Sequence, residues 1–286
     1  VKELIVQGKV VSVMRSYDKR KSLDQISNLI AFSDELKHLI VKIQEEIKDK
    51  FHANKEFDIW KRTEEKPDEN KFFLETSYTF LNEILLLWVC KDKKLLSFEI
   101  IKDNKQLLFL KSNAQKIYSH IFSNNIFDWY IPEDFLLQEI TNLFNKYDFT
   151  SVDRDILGKL YEQFITREER KKLGQFYTPE SVIDYILDQI EYTKNIADKK
   201  IIDMSCGSGG FTTRATNRLI NNLKNNSDKK EVIKKVISSV YGMDINPFAC
   251  YLAETNILIQ LLDLIVEVKK ENPKYIVPKI KIFQTN

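Results

Sequence analysis

The sequence predicts an α/β fold with parallel strands over residues 151–286, preceded by a mainly α-helical domain over residues 1–150. Two stretches predict the α/β part. Residues 201–211 read Ile-Ile-Asp-Met-Ser-Cys-Gly-Ser-Gly-Gly-Phe, which indicates a strand, a tight glycine-rich loop and the start of a helix. Residues 240–249 contain a second short strand that ends in Asp244, followed by Pro247 in a position to open a helix. The region before residue 150 is dominated by helical spacing of apolar residues.

Composition sets broad limits on the class of protein. Hydrophobic residues make up 43% of the chain and aromatic residues 12%, enough for a packed core. The net charge is only +2, which does not by itself indicate a nucleic-acid binder. The cysteines Cys90, Cys206 and Cys250 lack metal-ligand spacing and are expected to be reduced thiols of a cytoplasmic protein. The longest apolar run, residues 84–90, is too short to span a bilayer, so we expect no membrane association.

In the first 150 residues the apolar pattern predicts helices. Helical spacing over residues 22–50 includes a possible start at Ser33, where Asp34 and Glu35 follow. The strongly apolar residues 71–90 predict a helix that is buried on most sides. A further helix is predicted after Pro132. The aromatic residues of this region favour a core over a base-stacking platform: Tyr118, Phe122, Phe127, Trp129 and Tyr130.

After residue 150 an amphipathic helix over 151–173 is predicted, with a basic stretch at 167–172. This stretch is either a solvated helix end or a contact to DNA phosphates. A helix is predicted to begin at Pro179 with Thr178 as its N-cap. Strands are predicted at about 201–204, 240–243 and 280–284, with a polar loop over 221–231 that lengthens the first crossover connection.

The glycine-rich loop indicates a nucleotide-like cofactor, because glycines allow close approach of the backbone and a helix start offers unpaired N–H groups. A dinucleotide loop has the pattern Gly-x-Gly-x-x-Gly, but its third glycine is replaced here by Thr212. A nicotinamide dehydrogenase is therefore the weakest alternative. The chain does fit the Asp-x-x-x-Gly-x-Gly loop of S-adenosylmethionine (SAM) methyltransferases, through Asp203, Gly207 and Gly209.

Four runs together carry a family resemblance. They are Asp-Ile-Leu-Gly-Lys-Leu-Tyr-Glu-Gln-Phe (155–164), Glu-Arg-Lys-Lys-Leu-Gly-Gln-Phe-Tyr-Thr-Pro (169–179), Asp-Met-Ser-Cys-Gly-Ser-Gly-Gly-Phe (203–211) and Gly-Met-Asp-Ile-Asn-Pro (242–247). In these runs the chain resembles the amino-terminal half of N6-adenine DNA methyltransferases of restriction-modification systems. The most similar types are type I modification subunits and fused type IIG enzymes. The resemblance implies an incomplete Rossmann-like SAM-dependent methyltransferase fold.

The resemblance also implies which residues bind SAM. Asp203 and the backbone from Cys206 to Gly209 would hold the methionine part, and Asp244 would bind the ribose hydroxyls while Ile245 covers the adenine ring. Thr178, with Phe176 and Tyr177 close by, would hold the methionine part from the other side. The implied cofactor-binding set is Phe176, Tyr177, Thr178, Asp203, Cys206, Gly207, Gly209, Asp244 and Ile245.

The catalytic motif of the family is not found in the chain. In the family an Asn-Pro-Pro-Tyr motif or a near variant holds the amino group of an adenine flipped out of double-stranded DNA. Asn246-Pro247-Phe248 belongs instead to the ribose-binding turn. We therefore expect no catalytic residue in this chain, and further strands and a target-recognition domain beyond residue 286. A specificity subunit or fused target-recognition domain and a nuclease are the further partners that the resemblance suggests.

Three alternatives stay open at this point. Glu35-Leu36-Lys37 and Glu64-Glu65-Lys66 match the short Glu-x-Lys pattern of a nuclease, but neither lies on a predicted strand after a positioned Asp, which favours surface charge. Residues 1–70 could then be the remnant of a linker after a nuclease domain. A non-catalytic SAM-binding or assembly module and a SAM methyltransferase that acts on RNA or protein are the other two.

Overall fold

The structure is a computed structural model that describes residues 4–6, 9–12, 20–23, 26–52, 55–64, 66–123, 125–150, 178–224 and 227–285. In the amino-terminal part the elements are β1 (Leu4–Val6), β2 (Lys9–Ser12), β3 (Lys21–Ser22), α1 (Ile26–Lys50), α2 (Lys55–Lys61), α3 (Glu69–Asp92), α4 (Asn104–Ala114), α5 (Asp134–Asn145) and β4 (Tyr147–Asp148). The carboxyl-terminal part contains α6 (Glu180–Gln189), a short 3-10 helix (Ile196–Asp198), β5 (Ile201–Asp203), α7 (Gly210–Leu223), α8 (Lys229–Ser239), β6 (Val240–Asp244), α9 (Pro247–Glu271) and β7 (Lys281–Gln284).

Helix α3 is the centre of the amino-terminal part, and every residue from Phe72 to Cys90 in it is buried. Asp68 caps the helix by accepting a hydrogen bond from the Asn70 N–H. Helices α1 and α4 pack on α3, and α5 packs on α1. This confirms the buried helix predicted over 71–90 and the helix predicted after Pro132. The aromatic residues predicted to be core are buried, with Trp129 partly buried against them.

The predicted helix start at Ser33 is wrong. Helix α1 runs without a break from Ile26 to Lys50, and Ser33 is 1% exposed in its interior. Leu29, Phe32 and Leu36 continue one apolar stripe through this point and are all buried. Burial of that stripe outweighs the local preference of a serine for a cap position.

A three-stranded parallel sheet with the order β5-β6-β7 forms the carboxyl-terminal part. Asp203 at the end of β5 is in register with Gly242, and Asp244 at the end of β6 is in register with Gln284. The strands predicted near 201, 240 and 280 are confirmed. Within the described residues β5 is an edge strand, and the side chain of its central residue, Ile202, is 54% exposed.

The crossover from β5 to β6 contains two helices, so the polar loop predicted over 221–231 is wrong at both of its ends. Helix α7 continues to Leu223, and α8 begins at Lys229 with Asp228 as its N-cap. Val232, Ile233 and Val236 lie on the buried face of α8, and this burial stabilises the helix despite its many lysines.

Helix α9 connects the two parts of the molecule. By length and composition it would pass as a bilayer-spanning helix, yet most of it is buried inside the fold. It packs against α3 on one side and against β6, β7, α7 and α8 on the other sides. The buried residues of both parts form one continuous cluster. The domain boundary at residue 150 stays a prediction, because residues 151–177 lie outside the described part of the chain.

Candidate functional site

The glycine-rich loop between β5 and α7 contains two glycines with positive φ. Gly207 has φ +52°, and a Cβ built there meets no atom within 4 Å, so the backbone faces open space. Gly209 has φ +91°, and a Cβ there would lie 2.8 Å from the Cα of Ala253 in α9. Gly207 therefore leaves room for a ligand against the backbone, whereas Gly209 lets the loop pack on α9.

Asp244 ties the loop to the end of β6. Its Oδ2 accepts a hydrogen bond from the Gly207 N–H at 2.8 Å, and its Oδ1 accepts one from the Asn246 N–H at 2.9 Å. The Cys206 N–H donates to the Met243 carbonyl at 2.8 Å. A carboxylate has about four acceptor positions, so Asp244 retains acceptor capacity for hydroxyl groups of a ligand.

Asp203 ends β5 just before this loop and is half-buried, and Cys206 within the loop is buried. Burial raises the pKa of Asp203, the Ser205 N–H at 3.1 Å opposes this shift, and nearby Asp244 adds to it. Burial is also the main reason that the pKa of the Cys206 thiol lies well above its usual range, with further contributions from Cys250, Asp244 and Asp203. Cys206 is therefore a neutral packing residue near pH 7 rather than a nucleophile.

The turn after β6 presents an apolar side chain beside polar groups. Ile245 is 57% exposed at the carboxyl end of the strand. Asn246 is the N-cap of α9 through a 2.8 Å hydrogen bond from the Ala249 N–H to its Oδ1, and Pro247 occupies the first turn. The prediction that Pro247 opens a helix is confirmed.

Thr178 is the first described residue after 150, and Phe176 and Tyr177 lie outside the described residues, as do the helix predicted over 151–173 and the basic stretch.

The prediction of Thr178 as an N-cap is wrong. Helix α6 begins at Glu180, and Pro179 is at the N-cap position with extended backbone (ψ 141°) and no side-chain cap. Pro179 itself therefore has a ψ outside the helical range, and the helix starts one residue later than predicted.

Sequence reasoning missed the polar residues that contact the Asn246 side chain, of which Glu75 is buried. The Asn246 Nδ2 donates to the Glu64 Oε1 at 3.2 Å and to the Glu75 Oε1 at 3.3 Å. Glu75 is 0% exposed, and its Oε2 accepts from the Trp60 Nε1 at 2.7 Å. The signal in the sequence is an acid inside the apolar run of α3. The described residues contain no group of three or more side chains suited to hold a metal ion.

An apolar cleft of about 240 Å³ lies next to the loop, between α6, β5 and α7. Asp203 and Met204 form its end nearest the loop, and Ile186, Ile202 and Phe211 are among its lining residues. The carboxyl ends of β5 and β6, the glycine-rich loop and this cleft together define a class of site. It is a candidate small-molecule site at the carboxyl edge of a parallel α/β sheet, where such folds commonly bind nucleotide-like ligands.

Comparison with known proteins shows which proteins the chain is similar to. Residues 152–272 match the family model of N-6 DNA Methylase. The Type I restriction enzyme EcoEI methylase subunit of Escherichia coli is 26% identical over 145 residues, which are 50% of this chain and 28% of that protein. The Type II restriction enzyme and methyltransferase RM.Eco57I of Escherichia coli is 29% identical over 190 residues, which are 53% of this chain and 18% of that protein. The resemblance to N6-adenine DNA methyltransferases of restriction-modification systems is thereby confirmed.

One solved structure shares the fold of the chain. A cryoEM structure of a DrdV–DNA complex aligns with a TM-score of 0.51 and 15% sequence identity, covering 92% of this chain and 25% of that one. The chain spans less than a third of the length of each relative described here.

Proposed function

We propose that this chain is the cofactor-binding part of a SAM-dependent methyltransferase that acts on the N6 amino group of adenine in double-stranded DNA. One observation carries the proposal: Asp244 at the end of β6 is hydrogen-bonded to the backbone of the glycine-rich loop at Gly207. A carboxylate in this position can accept hydrogen bonds from ribose hydroxyls while the loop receives the other end of the cofactor. We further infer that the parallel sheet and its helices are part of a Rossmann-like fold.

The residues at the site fit SAM. Asp244 would hold the ribose, the exposed Ile245 would cover the adenine ring, and the backbone from Cys206 to Gly209 would follow the methionine part, as would Asp203. Thr178 is proposed to hold the methionine part from the other side. Phe176 and Tyr177, which lie outside the described residues, keep the role that the family resemblance implies. SAM would supply the chemistry through an electrophilic methyl group on its sulfonium, and the protein residues named here bind and orient it.

The DNA substrate is inferred from the family match and from relatives that are named as restriction-system methylases. Base flipping is the accepted way for such enzymes to reach an atom inside a duplex. The 286 residues contain no Asn-Pro-Pro-Tyr motif, so we propose that methyl transfer depends on residues beyond this sequence. A specificity subunit or target-recognition domain, a nuclease and a cytoplasmic location belong to the same proposal.

Calorimetric titration with SAM tests the cofactor site. Asp244→Asn keeps the shape of the side chain but places an NH₂ group against a backbone donor, and it removes the charge. We expect this variant to bind SAM about tenfold more weakly or worse, since hydrogen bonds to charged groups contribute about 1.5–3 kcal/mol. Asp49→Asn, an exposed position on α1, is the matched control and should bind like the wild type. Wild-type protein that is folded and does not bind SAM would refute the proposal.

The DNA part of the proposal is tested with SAM that carries a labelled methyl group. The chain alone should bind SAM and transfer nothing to duplex DNA, because it lacks the adenine-binding motif. The complete methyltransferase should label the N6 position of adenine. Label on RNA or on protein instead of DNA would overturn the substrate assignment while leaving the cofactor site intact.

A further inference from the structure

We propose that Glu75, a buried residue of the amino-terminal helix α3, positions the cofactor-binding carboxylate Asp244 through the side chain of Asn246. The inference rests on the proposed function, because it assigns a positioning residue to the proposed SAM site. The amino-terminal helical region would then contribute a positioning residue to the SAM site.

The first step is the orientation of the Asn246 amide. Carboxylates accept hydrogen bonds and do not donate them when ionised, so only the NH₂ group of Asn246 can face Glu64 and Glu75. Its carbonyl oxygen is thereby directed at the Ala249 N–H, 2.8 Å away, which caps α9. The two glutamates thus fix the directions of both the NH₂ group and the carbonyl oxygen of this amide.

The second step connects the amide to the site. The backbone N–H of Asn246 donates to the Asp244 Oδ1 at 2.9 Å, and the other carboxylate oxygen accepts from the Gly207 N–H at 2.8 Å. A continuous series of hydrogen bonds therefore leads from Glu75 through Asn246 and Asp244 to the glycine-rich loop. Glu75 and Asn246 are 171 residues apart in the chain, so only the folded structure brings them together.

Two charged side chains, Lys71 and Glu64, surround Glu75. Glu75 is fully buried, and Lys71 is the cation between the two acids, with its Nζ 2.6 Å from the Glu64 Oε2 and 4.0 Å from the Glu75 Oε1. Burial raises the pKa of Glu75 to about 7, against the opposing effects of Lys71, Trp60 and Asn246, while the charge of Glu64 raises it further. Both oxygens of Glu75 accept from donors that cannot accept in return, Trp60 Nε1–H and Asn246 NH₂. This arrangement matches the ionised form of Glu75.

Glu83 provides a matched control on the same helix. It is 3% exposed, and burial raises its pKa to about 8. It pairs with Lys111 at 2.8 Å, and among the described residues its charged neighbours are Lys111 and Asp128 rather than the loop after β6. Glu75→Gln and Glu83→Gln each neutralise one buried acid of α3, and both are expected to lower the free energy of unfolding.

The test compares the SAM affinity of the full chain in these two variants, at a temperature where both are folded. Gln at position 75 offers only one acceptor to the two donors, Trp60 Nε1–H and Asn246 NH₂. We therefore expect Glu75→Gln to raise the SAM dissociation constant about five- to tenfold and Glu83→Gln to leave it unchanged. The wild type should lose affinity as the pH falls through about 7, because protonation of Glu75 removes an acceptor. Glu75→Gln should not show this part of the pH profile. Equal affinities in the two variants would overturn the proposal while the proposed function stands.

Amide hydrogen exchange without SAM separates the two proposals. Glu75→Gln should speed exchange in residues 204–209 and 244–249 relative to Glu83→Gln. If the wild type fails to bind SAM, the proposed function fails, and the exchange rates still decide whether Glu75 positions the loop. Unchanged exchange in these segments would refute the positioning role.

Discussion

At Gly209 the backbone conformation and the packing both require glycine. A side chain at φ +91° is strained, and a Cβ would overlap the backbone of Ala253 in α9. We therefore expect Gly209→Ala to lower the free energy of unfolding by about 2–4 kcal/mol, the sum of backbone strain and overpacking. Urea denaturation followed by circular dichroism measures this loss.

Gly207→Ala is the control for the loss of stability expected in Gly209→Ala. Its φ of +52° is also left-handed, but a Cβ there meets nothing within 4 Å. The expected destabilisation is only about 1 kcal/mol, the cost of a left-handed alanine. Because the added methyl group projects into the open space in front of the loop, SAM binding should weaken more in this variant than its stability does. Equal destabilisation by the two substitutions would contradict the assigned packing role of Gly209.

At the residue scale, the sequence predicted what is local and missed what is distant. Asp203 and Gly207 are four residues apart in the sequence, so their spacing alone indicated one loop. Glu64 and Glu75 reach the same site only through the packing of α3 against α9, which no periodicity in the sequence encodes. An acid within an apolar helix marks a buried polar contact, but it does not identify the partner.

At the element scale, an ion-pair network holds α6 against α7. Asp184 of α6 accepts hydrogen bonds from both Arg214 and Arg218 of α7. The hydrogen bond from Arg214 is the largest cause that holds the pKa of Asp184 down at about 2, with Arg218 adding to it. This contact fixes the start of α6, which follows Thr178, next to the helix that begins at the glycine-rich loop.

We expect Asp184→Asn to lower the free energy of unfolding by about 1 kcal/mol near pH 7, because the carboxylate is partly exposed and therefore screened. The folded pKa is depressed, so this stabilisation is present above the unfolded value of about 4 and is lost as the pH falls towards about 2. Urea denaturation of wild type and variant over this range measures the difference.

Asp188→Asn is the control on the same helix. Asp188 pairs with Arg218, but its side chain is 55% exposed, so its removal should cost clearly less than that of Asp184. A difference between wild type and Asp184→Asn that persists unchanged at low pH would show that the ion pairs are not its source.

Both misplaced helix starts were predicted from capping preferences that a stronger local effect overrides. The helix starts proposed at Ser33 and Thr178 came from capping preferences, which are worth about 1 kcal/mol each. Packing of a continuous apolar stripe exceeds that in α1, and the geometry of Pro179 displaces the start of α6 by one residue. Strands β5 and β6 were predicted correctly because short apolar runs ending in an acid and flanked by turn residues leave few alternatives.

At the scale of the whole molecule, the helical region and the sheet region are joined by one core. Tyr118 is an example, since its hydroxyl donates to Glu254 of α9 and accepts from the Ile280 N–H at 2.9 Å. Together with the contact between Glu75 and Asn246, this junction predicts that the described regions unfold as one cooperative unit.

The tryptophans allow a direct test of that cooperativity. All of them, Trp60, Trp88 and Trp129, lie before residue 150, whereas the proposed SAM site lies after it. Tryptophan fluorescence therefore reports unfolding of the helical region alone. If the molecule is one unit, SAM at about 100 times its dissociation constant stabilises it by about 2.7 kcal/mol, and the fluorescence Tm rises with the Tm from far-UV circular dichroism. A circular dichroism transition that shifts while the fluorescence transition stays in place would mean that the two regions unfold separately. Asp244→Asn is the control, because binding that is about tenfold weaker should reduce the shift in both signals to about half at the same SAM concentration.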